Sequence, residues 1–323
     1  MATSNLKTTT VTTENCVLHV TYTGSGSKLL VLVPGGTGLG SSFHASLPGL
    51  ASSSDNSTAQ YTVATFDRRG HGASNLTSSG AKITSFFSPA QAARDVAAII
   101  AHLGFQRASV FGTSQGGVIA LNFGVYFPDK LEKLVAHESP TFGLLPDLEG
   151  GRWVDHITRT YAVYKASGAG PAMKLFARMI RGWDSTSKDV PSEGEVLEPL
   201  RPATDDDVKE LSKAGDDAAE PSPGASVDQL FWLEYEFLTA IAVPNLWDLR
   251  RHLHGDRYEH LSSDSLACVV GKASRDAPYA TTTYPQAEIT GSQHHIWPAG
   301  HLIYVFDPDA FVLALRDTLD RLK

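Results

Sequence analysis

The sequence predicts an α/β fold in which a mostly parallel, twisted sheet is flanked by helices and carries an inserted helical lid. Short apolar runs alternate with longer segments of helical periodicity, which is typical of a parallel sheet. Residues 140–255 interrupt this alternation and are helical in pattern, broken by one polar stretch. The predicted organisation is therefore a core made of residues 1–139 and 256–323, with the lid between the two parts.

The strands of the core are predicted from apolar runs that end at turn residues. An antiparallel edge strand is expected at residues 15–22. The strands that follow it are expected at residues 29–33, 61–66, 108–111, 131–136, 266–270 and 293–297. Helices are expected at residues 88–103, 118–126 and 309–322. The first helix has Ser88 as its N-cap, Pro89 at its first position and Gly104 beyond its end.

The turn at residues 112–116, Gly-Thr-Ser-Gln-Gly, is the most specific signal in the chain. It lies between a predicted strand and a predicted helix, and a G-x-S-x-G pattern in that context is typical of a nucleophilic serine. Gly112 and Gly116 leave room for the strand and the helix to approach closely, so the Ser114 hydroxyl projects above the sheet edge. The N–H of Gln115, at the start of the helix, is placed to stabilise an oxyanion.

A nucleophilic serine needs a base, and His301 is the expected one. It lies just after the last predicted strand and before the last helix, which places it at the same sheet edge as Ser114. His294 and His295 lie where that strand begins, far from this edge. They are therefore not assigned to the site.

Two carboxylates follow strands at this edge, and the residues alone leave the choice of acid open. Asp276 comes after the 266–270 strand, with Arg275 as a simple surface neighbour. Glu138 comes directly after the 131–136 strand. A glutamate in that position must be paired or hydrogen-bonded to stay ionised, and an imidazolium would satisfy it.

A second oxyanion donor is expected from residues 34–38, Pro-Gly-Gly-Thr-Gly, which follow a central strand. The N–H of Gly36 or of Thr37 is the predicted donor. Residues 67–74, which begin Asp-Arg-Arg-Gly-His-Gly, are expected to shape the fold rather than take part in the chemistry. Their two glycines permit a tight turn.

The predicted lid contains an acidic segment and several tryptophans. Residues 184–226 hold twelve Asp or Glu and four Lys or Arg, an excess that equals the formal charge of the whole chain. Because this segment is also rich in Pro, Ser and Gly, we expect a mobile solvated loop. Trp153, Trp183 and Trp232 are expected to line an apolar substrate pocket. For each tryptophan, a place in the core of the lid itself is the open alternative.

Composition argues against several classes of function. A net charge of −8 and an isoelectric point near 5.8 disfavour nucleic acid and anionic membrane as partners. No apolar run approaches the roughly 18 residues of a membrane span, and the N-terminus is polar, so a cytoplasmic protein is expected. Cys16 and Cys268 are expected to be buried and reduced. No metal is expected, since His252 and His254 lack further ligands at suitable spacing.

Four motifs, taken together in this order, resemble the α/β-hydrolase superfamily across nearly the whole chain. They are residues 33–36, 67–72, 112–116 and 300–301. Residues 135–141, Val-Ala-His-Glu-Ser-Pro-Thr, look like the segment after strand six in fungal zearalenone lactonases and related bacterial serine hydrolases. In the lactonases the glutamate of this segment is the triad acid, 24 residues after the serine, and Glu138 follows Ser114 by 24 residues here. The resemblance thus implies a triad of Ser114, Glu138 and His301, with Asp276 idle.

The expected function is that of a cofactor-independent serine hydrolase that cleaves an ester or lactone of a moderately large apolar molecule. A homodimer is compatible with the sequence, which does not determine the oligomeric state. Carbon–carbon bond or amide cleavage by the same triad stays open, as does a non-catalytic scaffold that holds a hydrophobic ligand. The complete set of nucleophile, acid, base and oxyanion loop favours an enzyme. Epoxide hydrolases and dehalogenases are disfavoured because they need a carboxylate in place of Ser114.

Overall fold

A mixed sheet of nine described strands forms the centre of the structure. The computed structural model describes residues 6–52, 61–77, 88–146, 148–189, 198–213, 226–238 and 243–323. The strands are β1 (Lys7–Thr13), β2 (Cys16–Thr23), β3 (Lys28–Val33), β4 (Tyr61–Phe66), β5 (Asn75–Leu76), β6 (Ala108–Thr113), β7 (Leu131–His137), β8 (Leu266–Gly271) and β9 (Gln293–Trp297). Their order is β1-β2-β4-β3-β6-β7-β8-β9, with the short β5 paired to β2.

The strand pairs at one end of the sheet are antiparallel, and the pairs in the rest of the sheet are parallel. β2 is antiparallel to β1, β4 and β5, whereas the pairs from β4 through β9 are parallel. The carboxyl ends of the parallel strands therefore share one edge, where α/β proteins place their sites. β2 confirms the antiparallel strand predicted at residues 15–22, but its predicted place at the edge of the sheet is wrong, because β1 pairs with β2 on its outer side. β1 is rich in threonine and mostly exposed, so no apolar run marks it.

The described helices are α1 (Leu47–Ala51), α2 (Pro89–His102), α3 (Gln115–Tyr126), α4 (Glu149–Ser167), α5 (Ala169–Phe176), α6 (Asp205–Lys213), α7 (Val227–Phe231), α8 (Leu246–His254), α9 (Pro278–Thr281), α10 (Thr283–Thr290), α11 (Ile303–Phe306) and α12 (Pro308–Arg321). Short 3-10 helices span Gly40–Phe43, Pro128–Lys130, Phe142–Leu144, Ala177–Met179, Asp256–Tyr258 and Ser263–Ser265, and a π-helix spans Trp232–Glu236. As predicted, Ser88 caps α2, and its hydroxyl accepts from the N–H of Gln91 at 3.1 Å.

Helices cover both faces of the sheet because its central strands are apolar on both sides. Leu29, Val31 and Val33 of β3 pack into a core shared with α2, α3 and α8. Leu30 and Leu32 of the same strand pack into a second core shared with α1, α11 and α12. This alternation follows from the two-residue period of a strand, and it confirms the predicted α/β layers.

The chain between β7 and β8 contains a helical insertion, whose helices α4, α5 and α7 share an apolar cluster with residues that follow β8. The predicted end of the insertion at residue 255 is wrong, because Leu246, Leu249 and Leu253 of α8 pack into the core beside the sheet. The acidic segment 184–226 was expected to be a loop throughout, but α6 lies within it. Val208 and Leu211 of α6 pack beside α4 and α5, so this helix is docked on the insertion. Within this segment, residues 190–197 and 214–225 lie outside the described residues. Across the described ranges, no helix is both long enough and apolar enough to cross a bilayer.

Candidate active site

Ser114 stands at the sharp turn between β6 and α3, with φ of 54° and ψ of −127°. This left-handed conformation is uncommon for a residue other than glycine. A Cβ on Gly112 would lie 2.1 Å from the carbonyl oxygen of Gly116, and one on Gly116 would lie 2.3 Å from that of Val33. The Ser114 N–H donates to the carbonyl of His137 at 2.8 Å, which ties the turn to β7. The two glycines thus permit the strained turn that presents a serine beyond a sheet edge.

Glu138 follows β7 and also has a positive φ, 45°. Its carboxylate is fully buried, and both oxygens are occupied. Oε1 accepts from the N–H of Gly271 at 2.7 Å and from the hydroxyl of Ser274. Oε2 lies 2.5 Å from Nδ1 of His301. The structure therefore joins the predicted base to Glu138, and the backbone of β8 holds the acid in place.

The environment of Glu138 favours its ionised form. Burial by itself raises the pKa of the carboxyl, but the imidazoles of His137 and His301 and the Ser274 hydroxyl lower it by more. His137 is fully buried, and burial lowers its pKa to about 4. Its Nδ1 lies 2.9 Å from the Thr113 hydroxyl. At neutral pH we therefore expect a neutral His137 beside an ionised Glu138.

His301 is held by a short stretch of the insertion, residues 181–185, which we call the strap. The backbone N–H groups of Gly300, His301 and Leu302 donate to strap carbonyls at 3.0, 3.0 and 2.8 Å. Trp183 of the strap stacks on the His301 ring at a centroid distance of 4.3 Å. Tyr279 packs edge-on against the same ring at 4.6 Å. These contacts fix both the backbone and the ring plane of the histidine.

Ser114 and His301 line the same cavity, whose volume is about 350 Å³. Gly36 and Thr37 also line it, so the structure brings the predicted oxyanion loop to the predicted nucleophile. The remaining lining residues are Gly35, Leu39, Met173, Phe176, Trp183, Ser226, Asp228, Gln229, Trp232, Leu302 and Tyr304. Most of these side chains are apolar, and many come from the insertion. The cavity therefore suits a molecule with an apolar body.

Two of the three tryptophans predicted for the pocket line this cavity, and one does not. Trp183 and Trp232 are lining residues. Trp153 is only 4% exposed and packs in the core of the insertion, edge-on against His156. Its expected place in the pocket is therefore corrected to the core. The difference follows from the face of α4 that carries Trp153, which is buried against neighbouring helices.

Asp276, the alternative acid, lies outside the cluster around His301. Its side chain is 49% exposed and its nearest cation is Arg275, at 3.9 Å. Ser274, two residues earlier, is the side chain of this loop that reaches Glu138. Sequence reasoning did not assign Ser274, because a serine in a surface-like run gives no signal of burial.

The predicted oxyanion loop lies close to Ser114, the predicted nucleophile. A Cβ on Gly35 would lie 3.2 Å from Cβ of Ser114. Among the described residues, the backbone N–H groups of Gly36 and Thr37 donate to no protein acceptor. Gln115 uses its side chain to accept from Nε1 of Trp232 at 2.7 Å. The loop at Gly36 and Thr37 therefore lines the cavity, and Gln115 lies beside it, next to Ser114 in sequence and in contact with Trp232.

Residues 67–74, expected to shape the fold, form two buried ion pairs. Arg69 pairs with Asp95 of α2 at 2.6 Å. Arg68 pairs with Glu236 of the insertion at 2.8 Å, and Nε2 of His71 lies 2.9 Å from the same carboxylate. Glu236 was not assigned from the sequence, where it is one of many acidic residues of the lid. This turn thus joins the core to the insertion.

Neither cysteine nor metal chemistry is indicated by the described residues. Cys16 and Cys268 are buried and free. Burial raises the pKa of Cys16 to about 11 and that of Cys268 to about 12, so both remain thiols at neutral pH. Within the described ranges, no cluster of three or more His, Cys, Asp or Glu side chains could hold a metal ion.

The chain is similar in sequence to known proteins over part of its length. The family model for the α/β-hydrolase fold matches residues 28–180. The uncharacterized hydrolase YraK of Bacillus subtilis (strain 168) is 32% identical over 130 residues, which is 40% of this chain and 43% of the relative. The matched segment therefore spans less than half of that relative.

Solved structures are similar over nearly the whole chain. A protein from Pseudomonas aeruginosa, provisionally described as an epoxide hydrolase, has a TM-score of 0.58 at 18% identity and covers 99% of this chain and 98% of its own. Naproxen esterase from Bacillus subtilis has a TM-score of 0.56 at 16% identity and covers 97% and 91%. These identities show the fold alone. Together with the family match and the strand order, they show that the chain has the α/β-hydrolase fold.

Proposed function

We propose that this protein is a cofactor-independent serine hydrolase that cleaves an ester or lactone of a moderately large apolar molecule through an acyl-enzyme. The observation that carries the proposal is the buried His301–Glu138 pair, 2.5 Å apart, on the cavity that Ser114 lines. When Nδ1–H of His301 donates to Glu138, Nε2 is the nitrogen free to accept a proton. That arrangement supports a base poised to activate a serine.

The proposed reaction proceeds in two halves. Ser114 Oγ attacks the carbonyl carbon while Nε2 of His301 takes the hydroxyl proton, and Glu138 stabilises the imidazolium. The N–H of Gln115, with that of Gly36 or Thr37, binds the oxyanion, and each such donor contributes roughly 3 kcal/mol. The intermediate expels the alcohol, which receives its proton from His301. Water then repeats these steps and releases the acid.

The cavity supports an apolar substrate rather than an anionic one. No lysine or arginine is among its lining residues in the described part of the chain, and rings of Phe176, Trp183 and Trp232 form much of its wall. Ser114 also disfavours the epoxide chemistry named for one structural neighbour, since that chemistry needs a carboxylate nucleophile. We propose an apolar ester or lactone as the small-molecule partner.

Intact mass after treatment with a fluorophosphonate tests the activated serine. The hydroxyl of Ser114 attacks phosphorus and displaces fluoride, so the wild type should gain one phosphonyl group and Ser114→Ala none. Labelling that persists in Ser114→Ala, or a folded wild type without an adduct, would contradict the proposal. A panel of apolar esters, lactones, amides and β-diketones then identifies the bond that is cleaved. Turnover restricted to amides or β-diketones would exclude the proposed substrate class.

A further inference from the structure

The two proposed oxyanion donors lie on segments that the sheet does not hold together. β3 and β6 are paired up to Val33 and Gly112. Gly36 and Gln115 each lie three residues beyond that last pair, Gly36 in a loop and Gln115 at the start of α3. Their relative position must therefore be fixed by contacts other than the strand ladder.

Trp232 of the π-helix contacts both residues. Its Nε1–H donates to Oε1 of Gln115 at 2.7 Å. Its indole lies so close to Gly36 that a Cβ at that position would be 3.0 Å from Cε2 and 3.2 Å from Nε1. One side chain of the insertion thus spans the two halves of the proposed oxyanion hole.

A second connection runs through Glu236, at the other end of the π-helix. Its carboxylate accepts from Nη2 of Arg68 at 2.8 Å and from Nη1 at 3.3 Å. Nη2 of the same arginine also lies 3.4 Å from the carbonyl oxygen of Gly36. The side-chain amide of Gln115 donates to the backbone carbonyl of Glu236 at 3.5 Å. The π-helix therefore reaches Gly36 and Gln115 at both of its ends.

We infer that Trp232 is a positioning residue that sets the spacing of the oxyanion donors, so that the docked insertion completes the hole as well as covering the substrate. This inference rests on the proposed hydrolase function. The indole N–H orients the Gln115 side chain, and the ring limits the movement of the loop at Gly36. Loss of the N–H should misplace donors that act mainly in the transition state, and such losses lower kcat more than they raise KM.

Trp232→Phe tests the inference, because it keeps an aromatic ring and removes the hydrogen bond to Gln115. With a p-nitrophenyl ester that the wild type hydrolyses, kcat should fall by about tenfold or more while KM stays within about twofold. Binding of a trifluoromethyl ketone, which forms a tetrahedral oxyanion on the serine, should weaken by a similar factor. The control is Trp153→Phe, a ring in the core of the insertion, which should change neither quantity. A raised KM with unchanged kcat would mean that Trp232 contributes only to substrate binding, and it would overturn the inference.

A measurement that does not depend on activity separates failure of this inference from failure of the proposed function. If the wild type cleaves no ester or lactone, the amide NMR signals of Gly36 and Gln115 still report their geometry. Trp232→Phe should shift both signals, and Trp153→Phe should leave both in place. Unshifted signals in Trp232→Phe would refute the positioning role whatever reaction the site performs.

Discussion

The carboxylate of Glu138 is held in place by contacts to both of its oxygens. One oxygen faces His301, and the other is shared by Gly271 and Ser274. The three contacts come from β8, from the loop that follows it and from the His301 loop, so they restrain the carboxylate from separate parts of the chain. The positive φ of 45° is maintained by the Glu138 N–H, which donates to the carbonyl of Val269 at 2.9 Å.

Glu138→Gln should lower kcat by roughly 10³- to 10⁴-fold with the fold retained. The new amide can still accept from Gly271, but its NH₂ faces His301 and forces the ring into the tautomer that cannot take the serine proton. Ester kinetics measure the loss, and circular dichroism checks the fold. Asp276→Asn is the matched control and should stay within about twofold, since the cation that Asp276 contacts within the described part of the chain is its neighbour Arg275, at 3.9 Å. The reverse pattern would show that Asp276 is the acid.

Sequence reasoning reached some of these residues and not others. Ser114 and His301 follow from local signals, a Gly-flanked turn and a position after the last strand. The choice of Glu138 over Asp276 required a family resemblance, because burial of a side chain is not visible in a single run of residues. Ser274 could not be predicted, since its contact with Glu138 joins positions 136 residues apart.

Among the elements of the fold, the strap links the insertion to His301, the proposed base. Gly182 has a φ of 59°, and a Cβ there would lie 2.3 Å from the carbonyl oxygen of Ala273. A Cβ on Gly300 would lie within the van der Waals radius of the Gly182 carbonyl. Both positions need glycine, since the strap lies against the backbone of Ala273 on one side and of the His301 loop on the other.

Gly182→Ala should therefore displace the strap and reduce turnover. A positive φ and a contact of 2.3 Å with backbone cannot both be relieved, so we expect a loss of about 1–3 kcal/mol in the free energy of unfolding. Denaturant titration and ester kinetics measure the two effects. Gly151→Ala is the control, because that glycine lies in α4 with nothing within 4 Å of a new Cβ. Full activity and stability in Gly182→Ala would mean that the strap does not position His301.

The two elements that the sequence misjudged have different physical causes. β1 lacks an apolar face of its own, and it is stabilised by antiparallel pairing with β2 along its whole length. α6 was not predicted because its segment is strongly acidic, although the three aspartates in its first turn are favourable at a helix N-terminus. A side-chain cap was also available, since Thr204 accepts from the N–H of Asp207 at 3.3 Å. The overall charge of a segment is thus a poor guide when its apolar residues are helically spaced.

In the molecule as a whole, the layers were predictable and the way that the insertion docks was not. Alternating apolar and helical segments specify a parallel sheet with helices on both faces. Docking of the insertion depends on buried pairs such as Arg68–Glu236, whose partners are 168 positions apart. Buried histidines accompany this packing and make the stability of the whole fold depend on pH.

His156 is buried in the insertion, and burial, with Arg178 nearby, lowers its pKa to about 4. Its Nδ1 accepts from the N–H of Ala203 at 3.0 Å, a bond that protonation of Nδ1 would break. As the pH falls below 6.5, the unfolded chain takes the proton first, so stability is lost until the folded value near 4 is reached. His156→Gln should remove up to about 1.4 kcal/mol per pH unit of this slope. Urea titrations of both proteins between about pH 7 and 5 would measure it, and equal slopes would contradict the assignment.

The strap also determines where the chain can be divided when insertions are exchanged between relatives to change substrate range. Ser114 and Glu138 precede the insertion and His301 follows it, so the insertion looks like a replaceable cassette. Yet three strap carbonyls hold the backbone around His301, and Trp183 covers its ring. A chimera that imports the whole cassette loses these contacts together with the pocket wall. A chimera should instead keep residues 181–185 of the parent that supplies the core. These residues hold His301, although they lie far from it in the sequence.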